Sequence, residues 1–358
     1  MMAMLVKPDA GTRTHQAGRE EHSMAITNKN DVYQIVTDRI LAQLDQGVVP
    51  WKKPWIGLQV KYEGRKTHTE TRIINCAYSR STGKPYSLLN QMLLGRPGEW
   101  ASYKQITEAG GSIRKGEKAS IAVFWKFLEH DRVDKDGQPV LDTDGSPIKE
   151  QVPYLRYYNV WHVETQCDGI KPKVRRNGNP GTVTTTVEVV DDPGTPTNAD
   201  QTWADIEEAD AIVRAYIAGS GVTLTEEPGS TRAFYTPGLD SVTVPCRAQF
   251  PQRAEFYSTL FHELVHSTGH PSRLDRFSGP GNHSFGGQEY SKEELVAEIG
   301  AACLNSLCSI ETEASFQNSA SYIQSWSRKL KEDRKMIVSA ASRAEKAVNL
   351  ILAGGVMA

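Results

Sequence analysis

Residues 254–266 read AEFYSTLFHELVH and end in an HExxH motif, which runs from His262 to His266. No Gly or Pro interrupts this stretch, its apolar residues recur at helical spacing, and Gly269 follows as a stop signal, so the sequence predicts a helix. Two histidines four residues apart lie on one helical face, where both imidazoles can bind one zinc ion. Glu263 between them can act as general base toward a metal-bound water. The competing interpretation is an amphipathic helix with two half-exposed histidines.

A second helix is predicted downstream, where residues 291–304 read SKEELVAEIGAACL. Ser291 and Glu294 form an S-x-x-E capping box, which predicts that this helix begins at Ser291. Glu294 and Glu298 are four residues apart and therefore share one helical face.

An HExxH helix followed by such a pair of acids resembles the glutamate-type zincin arrangement. The resemblance implies that Glu294 is the third metal ligand and that Glu298 hydrogen-bonds to a ligand histidine and orients it. It also implies Zn²⁺, with another divalent metal as the alternative. The competing interpretation is that both acids are solvated, or that Glu294 only caps its helix.

His270 competes with Glu294 for the role of third ligand, although Gly269 is expected to end the helix before it. The metzincin spacing is excluded because Ser272 stands where that class has its third histidine. Together with His270, His283 and Tyr290 are candidate substrate or oxyanion contacts.

Length, charge and cysteine content bound the remaining possibilities. A chain of 358 residues can hold two domains with ordinary cores. No apolar run reaches the length of a membrane helix, so no membrane partner is expected. The five cysteines include no CxxC pair, which favours a reduced, cytoplasmic location. Residues 1–27 are expected to be a disordered leader, since residues 1–23 are polar and lack the apolar core of a signal peptide.

The total charge of −2 conceals an uneven distribution. Residues 24–127 carry 16 Lys and Arg against 8 Asp and Glu, whereas residues 128–358 carry 22 against 32. The N-terminal third is therefore a basic module attached to an acidic remainder.

The basic module also contains aromatic residues beside lysines, as in GVVPWKKPW at residues 47–55. Cations that follow phosphates and aromatic faces that stack bases suit single-stranded nucleic acid. The candidate DNA-binding residues are Trp51, Lys52, Lys53, Trp55, Tyr103, Lys104, Arg114, Lys115 and Lys118. For Trp51, Trp55 and Tyr103 a place in the core stays open as an alternative, and for Trp125, Tyr158 and Trp161, which lie inside predicted strands, the core is favoured.

These patterns predict an α+β protein of two domains, a basic single-stranded-DNA-binding domain and a domain with the HExxH helix. The first, residues 28–170, is predicted to contain a helix over 31–44 and two paired strands, 119–127 and 155–163, joined through a hairpin tip. Residues 171–201 read as a linker. The second domain, residues 202–358, is predicted to contain a helix, a small sheet, the two metal-site helices and a long helix or helical pair after Tyr322.

The chain as a whole resembles the ArdC antirestriction family of conjugative plasmids and phages, whose N-terminal part also occurs in TraC-type plasmid primases. The matching stretches include residues 31–34, 50–55, 110–118, 123–126, 157–161, 261–274 and 293–302. The resemblance implies an N-terminal domain that binds single-stranded DNA and a C-terminal zincin-like metallopeptidase domain acting on a host protein. The alternative function is a DNA-binding accessory protein of plasmid primase or replication type, with a structural or vestigial metal site.

Overall fold

The computed structural model describes residues 31–52, 58–61, 71–74, 76–173, 206–278, 288–308, 310 and 320–356. In these residues the helices are α1 (Val32–Asp45), α2 (Leu88–Leu94), α3 (Tyr103–Glu108), α4 (Val163–Gln166), α5 (Glu207–Ser220), α6 (Arg253–Ser267), α7 (Gln288–Leu307), α8 (Ala320–Glu332) and α9 (Met336–Leu352). The strands are β1 (Leu58–Lys61), β2 (Thr71–Ile74), β3 (Ala77–Ser79), β4 (Gly98–Ala101), β5 (Ser112–Ile113), β6 (Ser120–Asp131), β7 (Lys149–His162), β8 (Cys167–Asp168), β9 (Thr223–Glu227), β10 (Phe234–Thr236) and β11 (Ser241–Pro245).

The N-terminal part is a four-stranded sheet with helices against it. Asp31 caps α1 by accepting a hydrogen bond from the Tyr33 amide, which confirms the helix predicted there. The strand order is β3-β4-β7-β6, with β3 and β4 parallel and the other neighbours antiparallel. The two predicted strands are β6 and β7, and they pair as predicted, with Trp125 opposite Leu155.

Helix α2 forms side-chain hydrogen bonds to both edge strands of this sheet. The buried Asn90 side chain donates to the carbonyl oxygen of Val123 on β6 and accepts from its amide, at 2.9 and 2.7 Å. The neighbouring Gln91 makes the same pair of hydrogen bonds with Ala77 on β3, both at 2.9 Å. Backbone groups that would be unpaired at a sheet edge are thereby satisfied inside the protein.

Strands β6 and β7 continue well beyond the sheet as a two-stranded arm. Val123 and Leu155 are the outermost buried residues of the pair, and the residues between them are exposed except for the half-buried Val140 and Ile148. Asp134 and Asp142 each accept two backbone amide hydrogen bonds in the turns at the end of the arm, where the hairpin tip was predicted.

The C-terminal part contains α5, the three-stranded sheet β10-β11-β9 and the helices α6 to α9. The predicted helices and strands are present, and the segment after Tyr322 is a pair of helices, α8 and α9. The predicted start of α7 is wrong, because this helix begins at Gln288 and Ser291 lies buried inside it instead of capping it.

The two parts share one hydrophobic core in the described residues. Helix α9 packs against α7 and also against α2, and α8 packs against α1. An ion pair between Arg334 and Asp31 (2.6 Å) and a hydrogen bond from Thr37 to the Arg334 carbonyl (2.9 Å) lie on the same junction. The predicted linker lies mostly outside the described residues. No helix among the described residues has the length and hydropathy needed to cross a bilayer.

We expect the Gln91→Ala variant to lose about 1–3 kcal/mol of unfolding free energy, since it removes the hydrogen-bond partner of the buried Ala77 amide. Urea denaturation measures the change. Gln34→Ala is the matched control, because Gln34 only donates to Asp38 on the exposed face of α1. Equal losses in the two variants would contradict a structural role for the α2 contact.

Candidate metal centre

Helices α6 and α7 bring His262, His266 and Glu294 together. The Nε2 atoms of the two histidines are 3.2 Å apart. The Oε2 atom of Glu294 lies 3.5 Å from Nε2 of His262, and its Oε1 atom lies 3.5 Å from Nε2 of His266. One ligand atom from each residue lies within 4.8 Å of the others, and no other such group of His, Cys, Asp or Glu occurs in the part of the chain that is described.

This donor set fits a divalent metal ion. Two ligands at about 2.05 Å from a tetrahedral zinc ion are separated by roughly 3.3 Å, close to the three separations observed. Two imidazoles and one carboxylate also leave one coordination position for water, as in catalytic zinc sites. The cluster therefore has the composition and geometry of a divalent-metal site.

Contacts within the cluster shift the pKa values of His266 and Glu294. Burial would lower the pKa of His266, but hydrogen bonds with Glu293 and Glu294 raise it to about 10. For Glu294, burial acts to raise the pKa, and the two histidines overcome this and hold it well below its usual range. Metal binding must displace the proton from His266.

Glu263 lies buried beside the three ligands. Burial raises its pKa, with the nearby Glu294 adding to the increase and the two histidines opposing it. A backbone hydrogen bond from Tyr235 on β10 also stabilises its charged form. A carboxylate with a raised pKa next to a metal-bound water is suited to accept a proton near neutral pH.

Glu293 supports the metal centre, a role that the sequence assigned to Glu298. Its carboxylate lies 3.4 Å from the Nδ1 atom of His266. It also accepts a two-point ion pair from Arg276, with Nη2 at 2.6 Å and Nε at 3.0 Å. Arg276 is in turn held by the carbonyl of Val265 and the hydroxyl of Thr268, so the pair is buried and satisfied. Glu293 is thus placed to fix the ring orientation of His266.

Glu298 contacts Tyr322 on α8 instead of a histidine. Its carboxylate accepts a hydrogen bond from the Tyr322 hydroxyl at 3.2 Å. The same hydroxyl lies 3.5 Å from the indole nitrogen of Trp51, and the Lys52 ammonium lies 5.3 Å from the centre of the Tyr322 ring.

The other candidate site residues are placed as follows. Tyr290 hydrogen-bonds to Glu294, and burial together with that carboxylate raises its pKa to about 12. His270 follows the end of α6 and hydrogen-bonds through Nδ1 to the Ser272 hydroxyl at 2.7 Å, outside the three-residue cluster. His283 lies outside the described residues.

A close approach of α6 and α7 makes the cluster possible. A Cβ atom on Gly300 of α7 would lie 2.8 and 3.0 Å from the two methyl carbons of Val265, inside the HExxH motif. Val265 is completely buried and its β-branched side chain has little rotational freedom, so it cannot move aside to make room for a side chain at position 300.

The candidate DNA-binding residues divide between core and surface. Trp51 is 2% exposed and packs edge-to-face on Trp326, so it offers no face to a base. Burial lowers the pKa of the half-buried Lys52, which faces Tyr322. Tyr103 and Lys104 are exposed on α3, Arg114 is paired with Asp168, and Lys115 and Lys118 are exposed in the turn before β6. Lys53 and Trp55 lie outside the described residues.

Two of the three aromatic residues that were predicted to be buried inside the strands are exposed. Trp125 and Tyr158, which were assigned to the core, are 42% and 37% exposed on the arm, whereas Trp161 is half-buried in the sheet. The alternation of aromatic and basic residues along 124–128 and 152–158 was a signal that the sequence already contained.

The fold and site define a protein with an N-terminal domain built on a sheet, followed in the chain by a zincin-like metallopeptidase domain. Comparison with known proteins supports this description. Residues 208–343 match a family model described as zincin-like metallopeptidase, and residues 30–161 match the N-terminal domain of anti-restriction factor ArdC. The metal-free crystal structure of antirestriction protein ArdC from plasmid R388 is 32% identical, with a TM-score of 0.58, and the alignment covers 91% of this chain and 98% of that one. A Mn(II)-bound crystal structure of ArdC from R388 is 30% identical, with the same coverage and TM-score. The chain belongs to the ArdC family of antirestriction proteins.

Three further relatives are similar to this chain. A DNA primase TraC of Escherichia coli is 34% identical over 334 residues, which are 91% of this chain. The chain spans only 20% of that primase and 27% of a second TraC primase. An uncharacterized protein, y4eC of Sinorhizobium fredii, is 27% identical over 88% of this chain and 90% of its own length.

We expect Glu293→Gln to weaken metal binding by roughly 10–100-fold, because it removes the charge that orients His266. Glu298→Gln is the matched control and should leave metal affinity nearly unchanged, since Glu298 contacts Tyr322. Competition with a chromogenic chelator measures both affinities, and circular dichroism checks that the variants are folded. A larger loss in Glu298→Gln would return the orienting role to Glu298.

Gly300→Ala should destabilise the protein by about 1–3 kcal/mol through overpacking, although Ala is the better helix former by about 1 kcal/mol. It should also lower metal affinity, since α6 and α7 must separate. The double variant Val265→Ala/Gly300→Ala removes the opposing methyl groups and should restore much of the stability and of the metal affinity. Thermal unfolding and metal titration measure these two quantities. A Gly300→Ala variant more stable than the wild type would contradict the close packing.

Proposed function

We propose that this protein is an antirestriction protein of a mobile element, with a DNA-binding N-terminal part and a zinc peptidase in its C-terminal part. The observation that carries the proposal is the convergence of His262, His266 and Glu294 beside the buried Glu263. A cytoplasmic protein of the host is the proposed substrate, since DNA entering a cell meets restriction there. Zinc is proposed over other divalent metals because two imidazoles and one carboxylate form a common catalytic zinc site.

The proposed chemistry is hydrolysis of a peptide bond. A bound zinc ion would supply a water of lowered pKa and polarise the substrate carbonyl. Glu263 accepts the proton of the attacking water and returns it to the leaving amine. Tyr290 keeps its proton at neutral pH because its pKa is about 12, so its hydroxyl can donate to the negative charge that develops on the carbonyl oxygen.

Single-stranded DNA is the proposed nucleic-acid partner. The basic composition of residues 24–127 and the exposed Tyr103, Lys104, Lys115 and Lys118 support it, as does the likeness to primases that work on DNA. Unpaired bases can stack on exposed aromatic side chains, which duplex DNA cannot do, so duplex should bind more weakly.

The alternative is a DNA-binding accessory protein of primase or replication type, whose metal site only stabilises the fold. The two functions differ in whether Glu263 is needed, because this residue is not placed among the metal ligands.

Glu263→Gln should retain metal, fold and single-stranded-DNA binding, yet lose peptidase activity by about 10²–10⁴-fold. Metal content, an oligonucleotide titration and transfer of unmodified DNA into a restricting host measure these properties on the full chain. The matched control is Glu255→Gln, in the first turn of the same helix. Loss of protection in Glu263→Gln alone would support the peptidase, whereas full protection by this variant would favour the DNA-binding alternative.

A further inference from the structure

The arm formed by β6 and β7 concentrates the exposed apolar surface of the protein. Ten of the fifteen large hydrophobic residues exposed in the described part of the chain lie between Phe124 and Tyr158. Six of these ten are aromatic. Single exposed hydrophobic residues are ordinary, but a concentration of them on one element indicates an interaction surface.

The strand register divides these residues between two faces. Residues directly opposite in an antiparallel pair point to the same side. One side contains Val123 and Leu155, and it packs on the helices at the base of the arm. On the other side, we call the part nearer the sheet the ladder face, and it consists of Phe124, Lys126, Tyr154, Arg156 and Tyr158.

The ladder face alternates aromatic rings and cations. Phe124 lies opposite Arg156, and Lys126 lies opposite Tyr154, so each of these cross-strand pairs contains one ring and one positive charge. The Phe124 and Tyr158 rings are 5.7 Å apart between centroids, and the Arg156 guanidinium lies 6.0 Å from the Tyr154 centroid. The Tyr158 hydroxyl lies 3.3 Å from that of Tyr86, which anchors the inner end of the face.

This alternation suits one class of ligand. Side chains on one face of a strand repeat at roughly 6.6–6.8 Å, a spacing that an extended nucleotide chain can follow. Rings stack bases while neighbouring cations bind the phosphates between them. We propose that the ladder face is where a single strand of nucleic acid stacks its bases. This inference rests on the proposed DNA binding and gives it a location.

The charges around the arm favour this occupant over a second copy of the chain. Two copies joined through the ladder face would bring Lys126 and Arg156 near their like-charged equivalents. On this side of β6 and β7 the carboxylate between Phe124 and Tyr158 is Glu150, which lies further out along the arm, opposite His130. Asp134, Asp136, Asp142 and Asp144 make the tip of the arm acidic, which repels phosphates there. The bound strand is therefore confined to the part of the arm nearer the sheet.

The test compares two double variants of the full chain. Tyr154→Leu/Tyr158→Leu keeps apolar side chains on a strand but removes the rings, and it should weaken binding of a fluorescent oligothymidylate by roughly 5- to 150-fold per ring. Tyr154→Phe/Tyr158→Phe keeps the rings and should bind like the wild type. Because all four substitutions are at exposed positions, circular dichroism should show an unchanged fold.

The cations are tested through salt dependence. Lys126→Gln/Arg156→Gln should reduce the slope of log K against log salt by about 1.4, since each phosphate contact on a single strand contributes about 0.7. Lys135→Gln, at the acidic tip, is the matched control and should leave the slope unchanged.

The outcomes separate this inference from the proposed function. A wild type that does not bind oligothymidylate would refute DNA binding itself. A wild type that binds, with a leucine variant that binds equally well, would leave DNA binding in place and overturn the ladder face as its site. If sedimentation shows a wild-type dimer that the leucine variant lacks, with DNA binding unchanged, the face belongs to a second copy and the inference fails.

Discussion

The metal centre depends on how closely α6 and α7 can approach. Gly300 has no side chain where it meets Val265, and Val265 belongs to the HExxH motif itself. The carboxylate of Glu294 can reach both imidazoles only while the two helix backbones stay this close. The site is therefore built by packing between two buried helix faces, and the polar ligands lie at the edge of that apolar contact.

Helix geometry distributes the acids of α7 among different partners. Adjacent residues on a helix point about 100° apart, so Glu293 faces His266 Nδ1 and Arg276 while Glu294 faces the Nε2 atoms. Glu298 shares a face with Glu294 but lies about 6 Å further along the axis, where it meets Tyr322. The convergence of His262, His266 and Glu294 was predictable because it depends on spacing within two helices. The role of Glu293 was not, because Arg276 reaches it from a turn beyond the helix, seventeen residues away.

The aromatic residues show the limits of reading burial from local context. Strand aromatics are usually buried on one face, which favoured a core position for Trp125 and Tyr158. Beyond the sheet, however, no layer among the described residues covers the ladder face, so Tyr158 is exposed there. Trp125 lies on the opposite side of the arm, further out than the last buried residue of β6, Val123, and is exposed as well. Trp51 lies among lysines and prolines yet is buried, because Trp326 packs on it from a helix 275 residues later in the chain. The sequence around Trp51 and the sequence around Trp326 do not indicate this contact.

The same contact joins the two parts that the family models match separately. Trp51 and Lys52 meet Tyr322, whose hydroxyl donates to Glu298 one turn beyond the metal ligand Glu294. Burial lowers the pKa of Lys52, and Glu298 partly offsets this, so the charge is held at the junction by its partners in the C-terminal part. A fragment cut at the linker would expose Trp51 and part of the shared core, and each large apolar side chain so exposed costs about 1.5–3 kcal/mol. The metal helix and the basic N-terminal part therefore belong to one folding unit, and a change in either can reach the other through a buried contact.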